Sequence, residues 1–172
     1  CYAVFVANAW TKDAKLTVSR GGTTYDVTKF GRIPTPGAAE ASWATVPATG
    51  LPPGQVAVLF LSSDPAANHP IGGPMTCPVA PALTQSTALR ASGKGQAWHI
   101  TSDVPLTAYD ILPYGGAKSY LPSAGLLFPT SAWGKNYFGI VPRLGESNGG
   151  PQWGLIVAKE DGTKVDLDEL LG

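Results

Sequence analysis

The chain has 172 residues, which is enough for one domain of ordinary size with a sizeable core. Its hydrophobic content of 44% and charged content of 14% are typical of a folded chain and exclude intrinsic disorder. Twelve basic and twelve acidic residues give a net charge of zero, and no cluster of lysine or arginine is visible. Neither nucleic acid nor an anionic membrane surface is therefore an expected partner.

The first half of the chain has the pattern of short strands separated by proline-rich loops. Sixteen prolines and 21 glycines are spread along the sequence, which favours strands and turns and excludes long helices. Apolar and β-branched runs predict a meander of adjacent strands at 2–8, 15–20 and 23–30. The almost continuous apolar run at 55–62 predicts a central strand buried on both faces. Residues 31–54 and 63–83 are predicted to be loops.

The second half continues the strand pattern. Five further strands are predicted, at 96–102, 106–112, 135–141, 154–159 and 164–168. The last two flank Asp161-Gly162, which favours a hairpin turn because such turns need positive φ. The only helix candidate is 168–172. No stretch approaches the ~20 apolar residues that span a bilayer and no leader pattern is present, so we expect any signal peptide to have been removed.

His99, Ser102 and Asp103 lie within five positions and invite comparison with a catalytic triad. In a strand, His99 and Ser102 point to opposite faces, and Asp103 lies roughly 13 Å along from His99. Catalytic groups must instead approach to about 3 Å. We therefore expect Asp103 to form a turn and Ser102 to bond the backbone of that turn.

The same alternation makes a prediction about packing. Trp98 and Ile100 share a face and are predicted to point into the core, whereas His99 is predicted to be solvated or bonded to a neighbouring strand.

The sequence predicts no metal, cofactor or catalytic residue. The G-x-S-x-G, H-E-x-x-H and P-loop patterns are missing, and His69 has no neighbouring ligand at metal-site spacing. Asp161, Asp166 and Asp168 depart from the spacing of a calcium loop and fit a solvated hairpin.

Residues 100–142 contain a series of turn motifs. A strand ending in Ser-Asp-x-Pro is followed by a second apolar strand, a loop with glycine and serine, a Leu-Pro segment and Trp-Gly-x-x-Tyr. The matching residues are Ser102, Asp103, Pro105, Tyr109, Gly115, Gly116, Ser119, Leu121, Pro122, Pro129, Trp133, Gly134 and Tyr137. This series resembles the N-terminal domain of IgGFc-binding proteins, in particular the bacterial versions found in secreted proteins and lipoproteins. The resemblance spans at least 97–167, with a weaker match at 5–22.

The resemblance implies an extracellular, non-enzymatic interaction or adhesion module, often part of a longer chain. With the strand pattern, it favours an all-β fold, an antiparallel β-sandwich of immunoglobulin-like style with a partial second unit. Propeller-like blades are the alternative. We expect a first β unit at 1–112, a connecting loop at 113–134, and the start of a second unit, packed on the first, at 135–172.

The predicted function is binding, because long loops on a rigid β scaffold commonly carry recognition residues. Candidate ligand contacts for a protein or glycan are Tyr114, Tyr120 and Trp133, because aromatic side chains on stiff loops supply contact area at low entropic cost. We expect Tyr114 and Tyr120 to be exposed, whereas Trp133 could instead cover the end of the sandwich. The alternatives are a structural spacer of a surface protein and a hydrolase with a dispersed site.

Cys1 and Cys77 are the only two cysteines. An even count in the extracellular setting that the resemblance implies predicts one disulfide between the first strand and the loop at 63–83. The alternative is a lipid-modified Cys1. A lipid anchor normally leads into a flexible tether, and Cys1 leads directly into a predicted strand.

Overall fold

The computed structural model describes residues 1–66, 76–89, 91–115, 123–139 and 154–167. The chain separates into two compact units, 1–127 and 128–172. The strands of the first unit are β1 (Tyr2–Ala7), β2 (Leu16–Arg20), β3 (Thr23–Tyr25), β4 (Gly31–Ile33), β5 (Ala44–Thr45), β6 (Val56–Ser62), β7 (Trp98–Ser102), β8 (Thr107–Leu112) and β9 (Ser123–Leu127). This unit also contains a short helix, α1 (Val27–Phe30), and a 3-10 turn at Glu40–Ser42.

The strands form two antiparallel sheets around one main core. Within the described residues, the larger sheet has six strands in the order β5–β4–β6–β1–β8–β9, and the smaller has three in the order β3–β2–β7. Val4 and Leu59 of the larger sheet and Val18 of the smaller sheet belong to the same buried cluster. The predicted all-β fold and β-sandwich are confirmed. Sheets of six and three strands do not match the four-stranded blades of the propeller alternative.

Strand β6 is the centre of the larger sheet. It pairs with β1 on one side and with β4 on the other. Every residue after Val56 is buried, because the odd-numbered side chains face the main core and Val58 and Phe60 face a second cluster. The prediction of a central strand buried on both faces is confirmed.

Strand β7 has the predicted orientation. Trp98 and Ile100 are half-buried and pack against the main core, whereas His99 is exposed. The Ser102 hydroxyl accepts a hydrogen bond from the Val104 N–H at 3.3 Å, as expected. Asp103 differs from expectation, because its carboxylate accepts a hydrogen bond at 2.7 Å from the N–H of Lys15, just before β2. This contact links β7 to its neighbouring strand.

The predicted meander of the first three strands is wrong, because β1 and β2 lie in different sheets. The Asn8 side-chain amide donates to the Lys12 carbonyl at 2.8 Å and to the Leu51 carbonyl at 2.7 Å. Ala14 then forms an isolated antiparallel bridge with Leu51. These bonds carry the chain from one sheet to the other instead of folding it back as a hairpin.

The predicted strand at 23–30 is also only partly correct, because it ends at Tyr25 and continues into α1. Asp26 caps the helix: its Oδ1 atom accepts from the Thr28 N–H at 3.1 Å and from the Thr28 hydroxyl at 2.7 Å. The helix buries Val27 and Phe30 against the main core. Within the described part of the chain, no helix is long and apolar enough to cross a membrane.

Two segments predicted as loops contain strands. Strands β4 and β5 lie within 31–54, and β4 extends the larger sheet by pairing with β6. Strand β9 lies within 113–134 and pairs with β8. The proposed division of the chain at 112 and 134 stays a prediction.

The second unit has less regular structure than predicted. It contains a 3-10 turn at Thr130–Ala132. The described residues of the strands predicted at 135–141, 154–159 and 164–168 form no strand. Gly162 has the predicted positive φ, at 78°, but the hairpin strands around it are not formed in the described residues. The helix candidate at 168–172 lies outside the described residues.

Tyr2 supplies a prediction about alkaline stability. Burial, followed by the charge of Asp110 and a hydrogen bond to it, raises the pKa of the Tyr2 phenol from 10.0 to about 12. Because the folded state holds this proton more tightly than the unfolded state, the contribution to stability is complete below about pH 10 and is lost as the pH rises towards about 12. Urea denaturation between about pH 9 and about pH 11 should therefore show a steeper loss of stability for the wild type than for Tyr2→Phe. Equal losses would contradict this assignment.

Candidate binding face

The larger sheet has one face towards the main core and one face directed away from it, which we call the outer face. Side chains alternate along each strand, so Ala3 and Phe5 of β1, Val58 and Phe60 of β6, and Tyr109 of β8 belong to the outer face.

One half of the outer face is covered. Ala3, Val58 and Phe60 are fully buried there beneath Trp43 and the side chains around Cys77. The indole N–H of Trp43 donates to the Ala38 carbonyl at 3.1 Å, which fixes the ring over the sheet. This half forms a small second core and is closed to a ligand.

The other half carries an apolar row across three strands, in which the residue of β1 is half-buried against the second core and the residues of β8 and β9 are exposed. Phe5 is paired in register with Tyr109, and their rings stack with centroids 4.9 Å apart and an interplanar angle of 6°. Tyr109 is in turn paired with Leu126 of β9. The exposed fractions are 38% for Tyr109 and 58% for Leu126. We call Phe5, Tyr109 and Leu126 the aromatic row.

Strand β9 is held in place by a contact to Asp110. The Asp110 carboxylate accepts a hydrogen bond from the Gly125 N–H at 3.0 Å. A Cβ atom added at Gly125 would lie only 3.0 Å from the same oxygen, so glycine allows the close approach. The contact fixes β9 against β8 and places Leu126 beside Tyr109.

Tyr114, one of the predicted ligand contacts, borders the aromatic row. Its ring packs edge-on against Phe60 at 4.9 Å and lies 6.2 Å from Phe5. Its hydroxyl donates to Glu40 at 3.5 Å, and burial, followed by the charge of Glu40 and this hydrogen bond, raises the pKa of the phenol. Tyr114 is therefore half-buried rather than exposed as expected, because its ring completes the second core.

The predicted disulfide between Cys1 and Cys77 is present, with an S–S distance of 2.06 Å and a Cα–Cα distance of 4.8 Å. It lies beside the second core, and the Cys1 carbonyl accepts a hydrogen bond from the Tyr114 N–H at 2.9 Å. Because the Cys1 sulfur is bonded to Cys77, it cannot also carry a lipid. The disulfide and Tyr114 together hold the covered half of the outer face.

The other two predicted ligand contacts stay predictions. Tyr120 lies outside the described residues. Trp133 belongs to the second unit, where its indole N–H donates to the Phe128 carbonyl at 3.2 Å and 38% of the residue is exposed. The sequence does not single out Phe5, Tyr109 and Leu126 as site residues, because an alternating strand pattern does not show which face stays open.

One family model matches the chain. Residues 123–170 are similar to the family described as IgGFc binding protein. The match begins at β9 and covers well under half of the 172 residues. It supports the expected IgGFc-binding-like domain over part of the predicted range. No curated protein and no solved structure gives a significant match.

Proposed function

We propose that this chain is an extracellular, non-enzymatic module that binds a protein ligand on the open half of its outer face. The observation that carries the proposal is the aromatic row, in which the stacked Phe5–Tyr109 pair continues into the exposed Leu126. Rigid aromatic side chains beside an exposed leucine form the kind of apolar patch that marks interaction sites.

The chemistry of the row favours a protein over a glycan. Phe5, Tyr109 and Leu126 carry no charge and offer one hydroxyl, so most of the gain on binding must come from apolar area. The similarity of 123–170 to IgGFc binding protein supports a protein ligand, and that segment contains Leu126. Tyr114, Tyr120 and Trp133 stay predicted contacts of this ligand.

The disulfide supports an extracellular location, because structural disulfides persist in oxidising compartments. The resemblance of 100–142 also supports an adhesion role on a bacterial surface. Ser102 and Asp103 accept hydrogen bonds from backbone N–H groups, which supports a role in the turn and not a catalytic role for these two residues.

A charge placed on the aromatic row tests the proposal. Leu126→Lys should weaken ligand binding at least about tenfold, because burying an unpaired ammonium is costly at the centre of an interface. Leu112→Lys is the matched control: Leu112 is 51% exposed, close to the 58% of Leu126, but belongs to the opposite face of the sheet.

The measurement is surface plasmon resonance against a panel of purified secreted proteins that includes the Fc fragment of immunoglobulin G. We expect saturable binding to at least one protein, retained by Leu112→Lys and lost by Leu126→Lys. Equal affinity of the two variants, or binding confined to a parallel glycan array, would show that the aromatic row is not a protein-binding site.

A further inference from the structure

We infer that the first unit carries a second ligand site, a groove that takes the acetamido group and ring of an N-acetylated sugar. The groove has a volume of about 260 Å³ and lies between the start of β2, the junction of β3 with α1, and the turn at 46–50. This volume is below the range of drug-sized pockets and suits a single small ring. The site does not depend on the proposed function of the outer face.

A gap in the backbone ladder of β2 faces this groove. The two-residue turn at Gly21 and Gly22 makes Arg20 and Thr23 a hydrogen-bonded pair, so the even-numbered residues of β2 direct their N–H and C=O groups towards β3. Val18 is paired with Tyr25 on this side.

On the N-terminal side of Val18, β2 has no partner strand on this edge among the described residues. Ala14 exchanges both backbone hydrogen bonds with Leu51, at 2.9 Å each. Between these two positions, β3 has turned away into α1, so the N–H and C=O of Leu16 face the groove without a partner among the described residues. The N–H of a ligand amide can donate to this carbonyl, and a neighbouring oxygen of the same ligand can accept from this N–H.

The length of the gap decides which kind of amide fits. Ala14 and Val18 are about 13 Å apart along the strand, and Leu16 is the single free position between them. Tyr25 limits the gap at one end and Gly50, buried against the Ala14 carbonyl, limits it at the other. An extended peptide strand cannot run through a gap that is closed at both ends. A single amide group carried on a side branch of the ligand can enter the gap from its open side.

The rim of the groove is suited to a neutral ligand that is rich in hydroxyl groups. Thr17 and Thr24 offer exposed hydroxyls, and Lys15 and Asp26 place one positive and one negative group on the lining. Only Oδ1 of Asp26 is used in capping α1, which leaves its second carboxylate oxygen for a sugar hydroxyl. Lys15 forms no ion pair with a described residue.

The floor of the groove is apolar. Val27 and Val46 are buried there, and Pro47 and Ala48 form part of the wall. An acetamido methyl group and the apolar face of a pyranose ring fit against such a floor, whereas the hydroxyls meet the polar rim. The combination of one free backbone amide position, a hydroxyl-bearing rim and an apolar floor therefore points to an N-acetylhexosamine.

The test is an NMR titration of the ¹⁵N-labelled chain with methyl N-acetyl-β-glucosaminide. We expect saturable shifts of the Leu16 and Thr17 amide signals, and binding at least about tenfold weaker for methyl β-glucoside, which lacks the acetamido group. Ala48→Trp should abolish the shifts by filling the groove. Thr49→Trp, at the next exposed position outside the lining, should leave them unchanged.

The same titration can overturn the inference. Absence of saturable shifts at Leu16, equal binding of the two sugars, or loss of binding in Thr49→Trp would each contradict an acetamido site here. An asparagine-containing peptide that binds the groove more tightly than the sugar would assign the site to a protein side chain instead. None of these outcomes depends on the aromatic row.

Discussion

Replacing both Cys1 and Cys77 with serine is expected to lower the free energy of unfolding by about 4 kcal/mol. The disulfide joins residues 76 positions apart, so it removes much of the freedom of the unfolded chain. It also holds Cys1, whose carbonyl accepts the Tyr114 N–H, against the second core. Urea denaturation of the wild type and of the double serine variant under oxidising conditions measures the difference.

Reduction provides the control for this experiment. Dithiothreitol should destabilise the wild type by a similar amount and should leave the double serine variant unchanged. Intact mass under denaturing conditions should rise by two hydrogens on reduction. Two free thiols before reduction, an added acyl mass, or identical unfolding curves for the two proteins would refute the disulfide.

Trp98→Ala is expected to cost about 3 kcal/mol of unfolding free energy, at the lower end for tryptophan because the side chain is half-buried. The substitution removes the contact with the Tyr25 ring at 5.3 Å and with the Arg20 guanidinium at 5.8 Å, and it opens space beside the main core.

His99→Ala is the matched control for Trp98→Ala. His99 lies next along β7 with its side chain exposed, so its removal should change stability by no more than about 0.5 kcal/mol. Thermal and urea unfolding of both variants check the pair. A large loss for His99→Ala with a neutral Trp98→Ala would mean that the register of β7 is reversed.

The sequence predicts strands reliably where one local pattern determines the structure. The continuous apolar run of β6 requires burial on both faces, and the alternation in β7 orients Trp98. The capping of α1 was also readable, because Asp26 is a favoured residue before a first helical turn. The β-branched residues on either side of Asp26 nevertheless favour a strand over 23–30 and outweigh that signal.

Local sequence patterns do not show which strands belong to the same sheet. The bond from Asn8 to Leu51 joins residues 43 positions apart, and it is this contact that sends β2 into the other sheet. Periodicity carries no information on such a pairing. Local strand propensity likewise could not show that residues such as Leu155 and Val165 lie outside any strand.

For a related reason, the sequence does not show that the outer face of the larger sheet carries an exposed apolar row. Strand β8 carries Tyr109 and Ile111 on one side and Ala108 and Asp110 on the other. Size and polarity would place the first pair in the main core, yet Ala108 packs there and Tyr109 stays open. The difference follows from what covers each side: Ala108 packs against the main core, and the second core includes Phe5 and Ile111 but does not reach Tyr109.

The disulfide has a mechanical consequence for a chain pulled from its first residue. Load applied at Cys1 passes directly to Cys77, so the residues between them form a covalent loop under no tension. About 260 Å of extended chain, at roughly 3.4 Å per residue, stays hidden however far the remainder is drawn out. Strands β1 to β6 lie inside this loop. Oxidation therefore limits how far the molecule can lengthen under force.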